Sequence, residues 1–245
     1  ILFDRGEKYD KRGTELIKDD VESERYIEIW NIVFSQYNAK DGVLRENYKE
    51  LPNKNIDTGG GLERFACVLQ EVDTNYETDL FVPIMKHIEK LTGVKYQGQM
   101  AFKVIADHIK TLVFAISDGA MLSNEGRGYV LRRLLRRAVK YGRTLNLSEP
   151  FLYHLVDDVI DVMGVFYDRL YDTKDIVKKL VLKEEIKFLE TISEGEKHLV
   201  DAIDQKTKSI SGQTAFKLYD TYGFPIELTI EYAEEQGVTV DLKGF

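Results

Sequence analysis

The chain has one cysteine, Cys67, in 245 residues, with four histidines and four prolines. A single thiol excludes an internal disulfide and any cysteine-based zinc site, and fits a reducing, cytoplasmic setting. The histidines, His87, His108, His154 and His198, fall in separate segments with no pair at metal-ligand spacing, so no zinc is expected. No apolar run reaches the roughly 20 residues that cross a bilayer. The opening ILFDRGEKYD has neither the basic nor the apolar region of a secretory leader, and it lacks an initiator Met, as expected of a piece cut from something longer. There is no internal repeat and no low-complexity tract.

Positive charge is also scarce: 34 Lys and Arg stand against 42 Asp and Glu, for a net charge of −8. Bulk charge of that sign repels nucleic acid and anionic membranes, so any polyanion must be held by a local patch. One stretch supplies it. Residues 126–143 carry seven basic side chains and no acidic one. At about 100° per residue, Arg132, Arg133, Arg136, Arg137, Lys140 and Arg143 share one helix face, and Leu131, Leu134, Leu135 and Ala138 the opposite one. The apolar face is expected to dock on a core and the basic stripe to face outward. A lone helix of this kind also suits a membrane surface or a partner helix, so the neighbouring motifs must decide.

Periodicity divides the chain near 97/98. Before it, RYIEIWNIVFSQYN (25–38) reads as a strand, being rich in aromatic and β-branched residues between turn-like flanks. In NKNIDTGGGLERFACVLQ an extended piece ends at Asp57 and Thr58, three glycines follow, and a helix begins. A further helix is expected over 78–91. After the division, helices are expected near 101–121, 127–142, 149–163, 173–205, 212–219 and 226–236, with almost no strands. The fold class is therefore α+β: a strand-containing first part followed by a mainly helical second part.

The glycines of DTGGGLER let backbone approach a ligand closely or take positive φ, and the following helix offers free N–H groups with Arg64 nearby. A tight turn alone would explain three glycines, since the spacing is neither a dinucleotide fingerprint nor a P-loop. The order of the longer motifs is more specific. Gly59, Gly61, Glu63 and Arg64 resemble the third signature motif of class II aminoacyl-tRNA synthetases. RYIEIWNIVFSQYN, DTGGGLERFACVLQ, NYETDLF, VIADHIK, SNEGRGYVLRRLLRRA and LYDTYGFPIELT together resemble the bacterial alanyl-tRNA synthetase family along nearly the whole chain.

The resemblance implies the C-terminal part of an antiparallel-sheet catalytic domain over 1–97, then a helical domain over 98–245 that recognises the tRNA acceptor stem. It implies a parent enzyme that activates alanine with ATP and Mg²⁺ to alanyl-adenylate, releasing pyrophosphate, and passes alanyl to the 3′ end of tRNA(Ala). Arg64 matches the residue that holds ATP, with Gly59 and Gly61 beside the nucleotide; Asn31, Val33, Asp57 and Gly59 match the alanine pocket. The chemistry is apt: a carboxylate pairs with an ammonium, an amide hydrogen-bonds, and a β-branched wall limits side-chain size. Asn124 and Asp220 match the residues that read a G·U wobble pair, and Arg127, Arg132, Arg133, Arg136, Arg137 and Lys140 would supply phosphate contacts beside Tyr129.

Ordinary roles exist for several of these: a turn for Asp57, a shared strand face for Asn31 and Val33, a helix cap for Asn124 or Asp220. Two positions depart from the family pattern. Gly60 replaces a larger residue, which loosens the floor of the nucleotide site, and Leu122 replaces a proline before SNE. The first two class II motifs would lie upstream of Ile1, and the family's zinc and editing region beyond Phe245. The chain alone is accordingly expected to be inactive, and a non-catalytic RNA-binding module is the competing expectation.

Overall fold

The computed structural model describes residues 1–21, 23–203, 208–222 and 224–245, with the side chains of 193, 194, 196, 197, 200 and 201 excluded. These residues form two compact units, Ile1–Phe81 and Val82–Phe245.

The first unit contains β1 (Leu2–Asp4), α1 (Glu15–Lys18), β2 (Tyr26–Glu28), β3 (Trp30–Asn38), β4 (Lys49–Gly60) and α2 (Leu62–Leu69). β1 pairs antiparallel with β2, and β3 with β4. The run expected as one strand over 25–38 is thus two. The break falls at Ile29, because the N–H groups of Ile29 and Trp30 both turn to the carbonyl of Ile1. β4 also continues past Thr58, since Gly59 and Gly60 pair with Asn31 and Trp30. The helix expected over 78–91 starts later: Thr74 and Glu77 form a capping box that closes a 3-10 turn over Asn75–Glu77.

The second unit contains α3 (Val82–Thr92), α4 (Met100–Ser117), α5 (Gly126–Thr144), α6 (Leu152–Met163), α7 (Arg169–Ala202), α8 (Gly212–Asp220) and α9 (Ile226–Glu235), with a short parallel pair, β5 (Ser209–Ile210) and β6 (Thr239–Val240). α4 is its hub, packing on α5, α6 and α7. Phe102, Ile105, Ile109 and Leu112 of α4 are fully buried, as are Leu135, Leu155 and Phe188 from α5, α6 and α7. The two units divide at 81/82 and not at 97/98. Ile84, Met85 and Ile88 of α3 are buried, and α3 packs on α4 and α6. α7 begins four residues before the expected start, at the Asp168 cap, whose side chain accepts from the Arg169 N–H; positions 204 and 205 of the expected helix lie outside the described residues.

α6 has no cap of its own: Phe151, at its N-terminus, makes no side-chain cap bond. Glu185 of α7 serves instead, its Oε1 accepting from the backbone N–H of Phe151 at 2.8 Å and of Leu152 at 3.1 Å. Burial pushes this carboxyl up to about 7, with the Phe151 and Leu152 bonds opposing the shift. A carboxyl whose folded value lies above its unfolded one, roughly 4.3, costs stability as pH rises between the two. Denaturant titrations should therefore show stability falling from about pH 4.5 to about pH 7 and levelling above it. Glu185→Gln, which keeps an acceptor for the helix end, should remove that contribution to the slope.

Candidate functional site

Opposed residues of an antiparallel pair point to the same side of the sheet, and alternate residues of a strand do too. The register Asn31↔Gly59 and Val33↔Asp57 therefore puts Asn31, Val33, Asp57 and Gly59 on one face of β3–β4. All four are exposed. The reverse face is carried by Trp30, which meets Phe65 of α2 edge-on with ring centroids 5.7 Å apart. A Cβ at Gly59 would stand 3.0 Å from Asn31 Oδ1, so the missing side chain leaves room for that amide. Asp57 Oδ1 accepts from the Thr58 N–H at 2.8 Å.

Arg64 lies in the first turn of α2, and its Nη1 donates to the carbonyl of Glu28 at 2.7 Å. Its stem lies beside Gly61, where a Cβ would come within 3.3 Å of Arg64 Cδ. None of the three glycines has positive φ; they serve close approach instead. Gly60 lies opposite Trp30 in the strand register. A Cβ there would meet Phe65 Cε2 at 3.1 Å, so the glycine seats Phe65 on the reverse face. Cys67 is buried in the same helix, its Sγ 3.2 Å from the Val72 carbonyl.

In the second unit, the bend before α5 carries Asn124, which is exposed. Ser123 Oγ donates to the Glu125 carbonyl at 2.7 Å, and Arg132 Nη1 donates to Asn124 Oδ1. Gly128 holds this bend against the helix: a Cβ there would fall 2.2 Å from the Met121 carbonyl oxygen and 2.8 Å from the Ser123 nitrogen. Sequence reasoning missed Gly128. Its signal was a second glycine inside a helix, where glycine costs about 1 kcal/mol relative to alanine.

The basic stripe does not face outward as expected. Arg132 Nε and Arg136 Nη2 each stand 3.0 Å from Glu184 Oε1, and their side chains are only 15% and 13% exposed. Burial pulls the Arg136 guanidinium below its ordinary value, opposed by Glu184. Lys140 is 2% exposed, its Nζ 2.8 Å from Glu235 and 3.2 Å from Glu231. Arg133 lies 3.6 Å from Glu227 and Arg137 3.4 Å from Glu231, with 45% and 40% of their side chains exposed. Helical periodicity put the cations on one face correctly; it could not reveal that α7 and α9 lay carboxylates along it. Arg127 is exposed, and Arg143 half-buried.

Tyr129 OH donates to both oxygens of Glu227 at 2.9 Å. Burial, then the Glu227 hydrogen bond, pushes the phenol up to about 12, so it stays a protonated donor. Tyr219, next to Asp220, lies within electrostatic reach of Tyr129. Asp220 is the exposed last residue of α8, and α8 packs on α9. Neither sequence candidate fills the capping role open to it: α5 and α9 have Glu125 and Pro225 as N-caps, each without a side-chain cap bond. Among the described residues no hydrogen bond joins Asn124 to Asp220.

Two histidines from separate segments do come together. His87 Nδ1 is 2.5 Å from Asp158 Oδ2, and the His87 and His154 rings lie 6.5 Å apart across α3 and α6. Among the described residues no group of three His, Cys, Asp or Glu is placed to hold a metal.

Comparison with known proteins extends the motif evidence over the whole chain. It is 69% identical over all 245 residues to a protein of Acholeplasma laidlawii named alanine–tRNA ligase. Proteins of the same name from onion yellows phytoplasma and Streptococcus thermophilus are 53% and 54% identical, again across the full chain. The chain spans only 28–29% of the length of these relatives. No described helix is long and apolar enough to cross a membrane. Residues 1–245 match the family described as tRNA synthetases class II (A), and the chain belongs to it.

Proposed function

We propose that the chain is part of a cytoplasmic alanine–tRNA ligase, contributing half of an alanine-activating site and a surface that reads the acceptor stem of tRNA(Ala). The observation that carries the first half is the shared face of Asn31, Val33, Asp57 and Gly59. On it, Asp57 takes the alanine ammonium, Asn31 hydrogen-bonds the substrate, and Val33 limits the side chain to a methyl. Gly59 keeps the Asn31 amide unobstructed. Arg64, tethered through Nη1, presents a planar cation to the ATP base and phosphates.

These groups bind and orient; none is set as a general base, which suits a reaction driven by positioning and charge stabilisation. Mg²⁺ would enter with the ATP phosphates, whose charge it neutralises. Further phosphate-binding groups of the parent enzyme would complete this half-site, and without them no activation is expected. Alanine-dependent pyrophosphate exchange tests this: none from the 245-residue chain, activity once it is joined to the upstream segment of the Acholeplasma laidlawii relative. Absence of exchange in the joined protein would contradict the activation site. The open arginines of α5 support a second reading, a non-catalytic RNA-binding module, which retains stem binding in the same experiment.

For the stem, A-form RNA exposes its minor groove, and in a G·U pair the guanine 2-amino group lacks its usual partner there. Asp220 accepts from that amino group; Asn124 accepts through Oδ1 and donates through its amide nitrogen. Arg127, Arg133 and Arg137 are the cations open enough to meet phosphates. Asn124→Ala and Asp220→Ala should each cost about 1–3 kcal/mol of preference for a wobble stem over its G·C counterpart. Competition binding reads this directly, and equal loss on both stems would remove these residues from base recognition.

A further inference from the structure

Glu227, Glu231 and Glu235 stand four residues apart on α9, so they form one row along the helix. That row meets Arg133, Arg137 and Lys140 of α5 at 2.8 to 3.6 Å. Its register with α5 is fixed at one end by Tyr129 on Glu227 and at the other by the buried Lys140 ammonium. Of the three open arginines of α5, Arg127, Arg133 and Arg137, α9 thus partly neutralises the last two. Phosphate contacts supply essentially all non-specific RNA binding, whereas a contact that reads a base adds to them only at the right site. A built-in competitor for phosphate weakens every stem alike and leaves the base contact undiminished.

We infer that the Glu227–Glu231–Glu235 row of α9 is a specificity filter: it occupies Arg133 and Arg137, two of the three phosphate-binding arginines of α5, so that only a duplex offering a base contact as well is retained. This rests on the reading of α5 as an RNA surface. Occupation is partial because Arg133 and Arg137 keep nearly half of their side-chain surface in solvent, where a phosphate can exchange with a carboxylate. Lys140, buried, holds the row in place and takes no phosphate itself. Glu184 has the same anchoring part toward Arg132 and Arg136, and lies outside the filter.

The test uses the 245-residue chain with two RNA stems that differ at one pair, G·U or G·C, titrated over a range of salt. Glu227→Gln with Glu231→Gln frees Arg133 and Arg137 while leaving Glu235 on Lys140 and an acceptor for Tyr129. Affinity for the G·C and G·U stems should rise about tenfold alike and the log–log salt dependence should steepen by about 1–2, so that a G·C stem is retained at protein concentrations where the wild type holds only G·U. Glu234→Gln with Glu190→Gln changes net charge equally at exposed positions off the row and should shift binding less than about twofold. A row variant that binds the G·C stem no more tightly than this control overturns the filter. If the wild-type chain still distinguishes the two stems in that case, the RNA reading stands. If neither wild type nor row variant binds any stem, both fall. Thermal melts check folding, and Glu227→Gln alone, freeing Arg133, carries the same outcomes if the double variant unfolds.

Discussion

Asp57→Ala is expected to lower alanine-dependent pyrophosphate exchange by about 10²–10³-fold in the protein completed with its upstream segment. Truncating one partner of a hydrogen-bonded charge pair costs about 2–5 kcal/mol, and each 1.4 kcal/mol is a factor of ten. The loss should fall mainly on alanine affinity, because the ammonium is remote from the atoms that react, leaving ATP binding through Arg64 little changed. Stability should move by less than about 0.5 kcal/mol, since Asp57 is exposed and its one hydrogen bond is to the adjacent Thr58 N–H. Asp57→Asn keeps the shape and an acceptor but not the charge, and should recover only a small part of the activity. A variant with wild-type exchange would remove Asp57 from the pocket.

Gly128→Ala has a different route to a large effect. Its Cβ would overlap the Met121 carbonyl and the Ser123 backbone, and neither is the flexible end of a side chain. Either the bend moves or α5 does. Overpacking of this kind costs about 1–3 kcal/mol and occasionally more, and the displaced segment is the one that carries Asn124. The variant should therefore lower the denaturation midpoint and also lose wobble discrimination, although it removes no functional group. Loss of stability with intact discrimination would mean that the bend relaxes without shifting Asn124.

Much of this was legible in the sequence, for reasons particular to each element. α4 to α9 follow from 3.6-residue periodicity punctuated by Gly and Pro, so their existence is local information. Their starts are less so: α7 begins four residues early because Asp168 caps it, and the helix expected over 78–91 starts only at Val82, Thr78 being extended after the 3-10 turn. The apolar face of α3 says that Ile84, Met85 and Ile88 are buried, but not in which core, and hence the division at 81/82 was missed. Alternation put Asn31 with Val33; only the pairing of β3 with β4 adds Asp57 and Gly59 to their face. The largest departure is the basic stripe. Its carboxylate partners come from 48 residues away for Arg136 and 91 for Lys140, a separation that no local pattern encodes.

The proposed reading of a wobble pair by Asn124 and Asp220 turns on a single exocyclic amine, and a set of three stems isolates it: G·U, inosine·U and G·C at one pair, otherwise identical. Inosine keeps the wobble geometry and deletes only the 2-amino group. Direct binding to the 245-residue chain should favour G·U over both others by about 1–3 kcal/mol. Inosine·U bound as tightly as G·U would mean that no acceptor from this protein meets that amine.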